Sequence, residues 1–173
     1  MDSTYYTLAV VFVGSVFTRT GYELLKEARK INPESKIIFA IILFVMCALW
    51  SSWFALCPSE SVQSIFPDAV RWTGLVLVIV GAVIAVGALI QLRGVENIDH
   101  LVTTGLFSKI RHPMYMGFIL WIVGWSTYHS AIVSLAIGMI AIANILYWRR
   151  LEEGRLMIQH GETYSQYRRS TWL

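Results

Sequence analysis

Long apolar runs separated by short polar stretches make up most of the chain. Runs at 5–20, 37–57, 70–92, 113–128 and 130–148 each read as a membrane-crossing helix, since about 20 residues rising about 1.5 Å each match a hydrocarbon core of about 30 Å. The first run holds an uninterrupted apolar part of only about 14 residues, a length that also suits an interfacial or re-entrant segment. The fourth, if it opens at Pro113, rises only about 24 Å and must thin the bilayer or borrow residues upstream. The pattern predicts an all-α polytopic membrane protein with about five transmembrane helices in a single integral membrane domain, 1–173. No basic residue precedes the first run, so it reads as a retained helix and not as a cleaved leader.

Composition closes off the soluble alternatives. Of 173 residues, 56% are apolar and only 14% charged, against about 25% charged in an ordinary soluble domain. Five spans leave about 70 positions for loops and ends, too few for a separate soluble catalytic domain.

Charge gives an orientation. Arg19, Lys26, Arg29, Lys30 and Lys36 lie around the end of the first run, Arg93, Lys109 and Arg111 between the third and fourth, and Arg149, Arg150, Arg155, Arg168 and Arg169 after the fifth. Only Arg71 falls on the other side, so the positive-inside rule puts the N-terminus outside and the C-terminus in the cytosol. The net charge of +3 is that of a basic cytosolic face against anionic lipid and calls for no nucleic acid. Trp50, Trp53, Trp72, Trp125 and Tyr128 are then expected at the outer interface, and Trp148 at the inner one.

Small and polar residues inside the runs predict packing. Gly74 and Gly81, and likewise Gly117 and Gly124, stand two helical turns apart and mark close helix contacts. Asn144 reads as an interhelical hydrogen bond. Cys47 and Cys57, about 15 Å apart along a helix, cannot pair and read as buried small side chains; no Cys/His spacing points to a metal. The Gly81–Gly87 stretch lacks the spacing and flanking strand of a dinucleotide fingerprint.

Ionisable and aromatic residues gather in two stretches on the cytosolic side. One runs from Asp99 and His100 through Leu101, Val102, Gly105 and Phe107 to Arg111-His112-Pro113-Met114-Tyr115. The other joins Arg149-Arg150-Leu151-Glu152-Glu153 to His160, Gly161, Glu162, Tyr164 and Tyr167. Pro113 suits the first position of a helix and pushes His112 to an extended cap, leaving Arg111 and His112 beside a positive helix end. The fifth helix ends nearby with a negative dipole and the carboxylates of Glu152 and Glu153. If a tight turn at 126–130 makes the last two spans antiparallel, an anion-binding and a cation-binding patch lie side by side, which suits a zwitterionic ligand. The plainer alternative is a solvated Arg149–Glu153 pair contributing about 0.2–0.5 kcal/mol, with Arg111 and His112 serving as cap and snorkel.

The run Leu101-Val102-Thr103-Thr104-Gly105-Leu106-Phe107, the motif Arg111-His112-Pro113-Met114-Tyr115-Met116-Gly117, the Glu152-Glu153 pair and the stretch Gly161-Glu162-Thr163-Tyr164-Ser165-Gln166-Tyr167 resemble the C-terminal signature of isoprenylcysteine carboxyl methyltransferases and related phospholipid methyltransferases. The resemblance covers about residues 91–169; the first three spans are similar only in being helical. It implies an integral membrane methyltransferase using S-adenosylmethionine, with 1–92 as a three-helix scaffold and 93–173 as the cofactor-binding, catalytic part.

By that resemblance His100, Leu101, Val102, Gly105, Phe107, Arg111, His112, Glu152 and Glu153 are expected around the cofactor, with His112, Arg149 and Glu153 as the catalytic set. Arg149 and Tyr115 are expected to face a lipophilic acceptor entering from the bilayer, with no metal involved. Phe107 replaces the usual Tyr, and Gln91 falls one position from a family Gln and receives no role. Other readings are a phospholipid-amine or small-thiol methyltransferase, a sterol-type reductase, and a non-enzymatic membrane accessory protein. A bacterial inner membrane and an endoplasmic-reticulum-like membrane both fit.

Overall fold

The computed structural model describes residues 1–32, 35–62, 66–92 and 101–172. Among these described residues five helices follow in order: α1 (Ser3–Glu27), α2 (Lys36–Leu56), α3 (Asp68–Leu92), α4 (Pro113–Tyr128) and α5 (Ile132–Ser170). Short 3-10 turns lie at Cys57–Ser59 and Gly105–Ser108. The one strand-like feature among the described residues is an isolated bridge between Ile110 and Trp172. Of the five helices, α1, α2, α3 and α5 are each long and apolar enough to cross a membrane. The sixteen residues of α4 rise only about 24 Å.

Local chemistry sets the helix ends. The Asp2 carboxylate accepts the Tyr5 N–H at 3.0 Å and caps α1. Pro58, without an N–H, turns the end of α2 into the 3-10 segment, and Pro113 opens α4. Between α4 and α5, Ser130 adopts a left-handed φ of 56°, and the Ala131 N–H returns to the Ser126 carbonyl at 2.8 Å. This tight turn makes the two helices antiparallel neighbours, as the spacing predicts. Because Ala131 has no side-chain acceptor, α5 is capped from elsewhere: buried Glu60 accepts from Val133 N–H (3.0 Å), Ser134 N–H (2.7 Å) and the Ser134 hydroxyl (2.6 Å).

The glycine pairs do what their spacing predicts. A Cβ on Gly74 would sit 2.6 Å from the Gly124 carbonyl oxygen, and one on Gly81 2.8 Å from that of Gly117. The backbones of α3 and α4 therefore touch at two levels, so the short α4 lies flat against a full-length span. Around this pair, α1, α2, α4 and α5 bury Phe12, Val16, Trp53, Leu56, Ile122, Ile142 and Ile145. Asn144 makes the expected interhelical bond, its carbonyl accepting from Thr20 of α1 at 2.8 Å. Trp148 Nε1–H donates to the same Thr20 oxygen at 2.9 Å.

Three expectations change. Trp53 is fully buried against Phe12, with ring centroids 4.8 Å apart, and is a core residue instead of an interfacial anchor. Cys57 is buried as expected, but Cys47 is exposed on the outer face of α2. Helix α5 does not stop near Trp148. It continues through 149–160, where Arg, Leu and Glu are good helix formers, and breaks at Gly161, whose φ of 52° leaves the helical region. The charges at 149 mark where the apolar span ends, and the helix outlasts it. Glu152 and Glu153 are mid-helix residues, so the helix-end dipole contributes nothing to them.

Candidate active site

At one end of the bundle, the last turns of α1 and α3 meet the first turn of α4, residues 149–156 of α5, and the segment after Gly161. His112 stands just before Pro113, buried, with Nε2 3.3 Å from Glu153 Oε1 and Nδ1 3.7 Å from Glu152 Oε2. Among the described residues its Nε2 has no aligned hydrogen-bond partner despite that proximity. The ring stacks on Tyr115 with centroids 5.6 Å apart. Burial holds the imidazole below its ordinary pKa of 6.5, against the upward pull of Glu152 and Glu153, so His112 is neutral at pH 7.

Glu153, itself buried, is the hub. Arg111 Nε lies 3.3 Å from its Oε1, Arg149 Nε 3.9 Å, and Arg168 Nη2 4.0 Å from its Oε2. Three guanidinium groups and an imidazole thus converge on one carboxylate. The Arg149–Glu153 contact is long, and Arg149 Nε is left buried with no hydrogen-bond partner among the described residues.

Arg111 has a second task. Its Nη1 donates to the carbonyls of Arg168 and Thr171, both at 2.7 Å. The bridge beside it pairs Arg111 N–H with the Trp172 carbonyl (2.9 Å) and Trp172 N–H with that of Lys109 (2.8 Å). The C-terminal segment is thereby folded back across the approach to α4. Tyr167 completes the clasp, its hydroxyl donating to the Phe107 carbonyl at 2.6 Å.

Leu101, Val102, Phe107, Arg111, His112 and Glu152 line one pocket, so six of the expected residues come together directly. Glu153 touches two of them, Arg111 and His112, and Tyr115 stacks on His112. Gly105 lies off the pocket wall and acts as a turn: its φ is 58°, and a Cβ there would run into the Gln91 amide. His100 lies outside the described residues. Leu92, Leu156, Tyr164 and Tyr167 also line the pocket, although the motif reading gave them no role.

Gln91, also passed over in the sequence, fastens the loop. Its side-chain carbonyl accepts from Leu106 N–H at 3.1 Å and its amide donates to the Thr104 carbonyl. The available signal was a lone amide side chain at the end of an otherwise apolar span.

A helical bundle with four helices long and apolar enough to cross a membrane, carrying a buried and partly unsatisfied ionic cluster at one end, has the build of a polytopic membrane protein with a candidate ligand site at its helix ends. A family model described as phospholipid methyltransferase matches residues 69–163, more than half of the chain, and the chain belongs to that family.

Among curated proteins, it is 34% identical over 76 residues to protein-S-isoprenylcysteine O-methyltransferase of Schizosaccharomyces pombe, covering 43% of this chain and 32% of the relative. It is 28% identical over 173 residues to protein-S-isoprenylcysteine O-methyltransferase B of Arabidopsis thaliana, covering 88% and 81%. It is 36% identical over 84 residues to methanethiol S-methyltransferase of Pseudomonas deceptionensis, covering 48% and 31%. The match thus spans about a third of the length of the Schizosaccharomyces and Pseudomonas relatives. No solved structure matches the chain.

Proposed function

We propose that this chain is a membrane methyltransferase that takes S-adenosylmethionine from the cytosol and methylates a lipophilic acceptor reaching the site through the bilayer. The observation that carries the reading is the buried Glu153 carboxylate facing Arg111, Arg149 and His112 beside a pocket. Around it, His112 Nε2, Arg149 Nε and the Tyr164 hydroxyl are buried without hydrogen-bond partners among the described residues. Such orphaned polar atoms are unfavourable unless a ligand satisfies them, and their mixture of acceptor and donors fits a zwitterionic amino-acid group.

Glu153 would hold the ammonium end and Arg111 with His112 the carboxylate, while His100, Leu101, Val102, Phe107 and Glu152 would enclose the rest. When bound, the cofactor supplies an electrophilic sulfonium methyl, so the protein's work is to bind, align and exclude water. Arg149 would orient an anionic acceptor, with Tyr115 flanking it. A carboxylate acceptor needs no base; an amine would have to lose a proton, and neutral His112 is the available group.

The cytosolic location of this end rests on the placement of the basic residues. The Schizosaccharomyces and Arabidopsis relatives are named for isoprenylcysteine and favour a lipidated carboxylate. The methanethiol relative keeps a small-thiol acceptor as the second reading. Transfer from methyl-labelled S-adenosylmethionine to a prenylcysteine analogue, to phospholipid and to a small thiol tests the proposal. Label in the prenylcysteine analogue supports it, label in the thiol alone selects the second reading, and no label in any of them contradicts it.

A further inference from the structure

Tyr164 is fully buried, yet its hydroxyl has no hydrogen-bond partner among the described residues. It lines the same pocket as Arg111, His112 and Glu152, and the charges it feels are those of Glu153, Arg111, Glu152 and Arg168. Three residues on, Tyr167 shows the contrasting case: its hydroxyl is fully used by the Phe107 carbonyl at 2.6 Å. Two phenols on one short helix therefore do different work, one closing the protein onto itself and one left open towards the pocket. A buried hydroxyl without a partner is disfavoured; a ligand oxygen in that pocket would remove the penalty.

We infer that the Tyr164 hydroxyl is a binding group for the methyl donor, donating a hydrogen bond to the carboxylate of its amino-acid end. The end is chosen by the surroundings, because the groups around Tyr164 are the ones that complement an ammonium and a carboxylate, while the apolar wall of Leu101, Val102 and Phe107 suits the base. The inference rests on the proposed use of S-adenosylmethionine, and the test separates the two.

The full chain, purified in detergent, is titrated with S-adenosylhomocysteine and with 5′-methylthioadenosine, which lacks the amino-acid group; thermal unfolding is recorded with and without ligand. Wild-type protein that binds neither compound contradicts the donor assignment itself. If wild type binds, Tyr164→Phe is expected to weaken S-adenosylhomocysteine roughly tenfold or more and to leave 5′-methylthioadenosine affinity unchanged. The unliganded melting temperature stays where it was, because no existing bond is removed. Tyr167→Phe, which does remove one, is expected to lower that temperature. Equal S-adenosylhomocysteine affinity in wild type and Tyr164→Phe overturns the inference, as does equal weakening of both compounds.

Discussion

His112 Nε2 and Glu153 Oε1 lie 3.3 Å apart, although one residue opens α4 and the other sits midway along α5. Their meeting depends on the tight Ser130 turn, which sets α4 and α5 antiparallel, and on the continuation of α5 past its apolar span. Because burial holds the His112 pKa down, the unfolded chain takes up a proton more readily than the folded one. Stability therefore falls as pH drops below about 6.5, and the loss is complete only below the folded value. Melting temperature measured from pH 7.5 to 5 should fall more steeply for wild type than for His112→Asn. Parallel slopes would remove His112 as the source.

The α3–α4 contact leaves no space for a side chain. Gly117→Ala places a Cβ 2.6 Å from the Gly81 carbonyl and 2.7 Å from the Ala85 methyl, an overpacking that costs about 1–3 kcal/mol. Gly14→Ala, with no described atom within 4 Å, should be tolerated and stabilise the helix slightly, by about 0.4–1 kcal/mol. Thermal unfolding in detergent checks both; a neutral Gly117→Ala would mean the helices do not touch there.

A second buried carboxylate ties α1 to α5 near the site. Glu23 Oε2 accepts from Arg155 Nη2 at 3.0 Å while its other oxygen meets Arg19. Arg19 in turn lies over the Tyr22 and Trp148 rings. Glu23→Ala leaves two guanidinium groups without their shared counter-charge and should destabilise the fold by about 3 kcal/mol. Arg155→Met, which removes one cation and keeps the stem, should cost less. The same unfolding assay decides, and equal losses would argue against a shared carboxylate.

Gln91→Ala unfastens the loop at Thr104 and Leu106 without opening the helix core. Donor affinity should fall several-fold while the melting temperature moves little. A large drop in stability with unchanged affinity would make Gln91 a folding residue instead.

Much of this was legible in the chain. Apolar run length places the helices because each span must match the bilayer, and the two-turn glycine spacing gives the α3–α4 face because only glycine admits backbone contact. The Arg111-His112-Pro113 motif and the Glu152-Glu153 pair point to the candidate site, and the structure brings them together. Less visible was the extent of α5, since the onset of charge at Arg149 marks the membrane boundary while helix propensity carries on to Gly161. Trp53 looked interfacial because its position along α2 is near the span's end; its direction, inward onto Phe12, depends on which neighbour packs there. The returning C-terminal segment depends on the Gly161 break and on backbone pairing at Lys109 and Trp172, neither of which has a side-chain signature. The second glycine of the polar helical stretch, Gly161, followed by Tyr164, Tyr167 and Trp172, was the available hint.

The most direct test of the central claim is calorimetric titration of purified wild type and Glu153→Gln with S-adenosylhomocysteine. Saturable binding by wild type, lost in a Glu153→Gln protein that still melts cooperatively, is the predicted result. Undiminished affinity in the variant would contradict it.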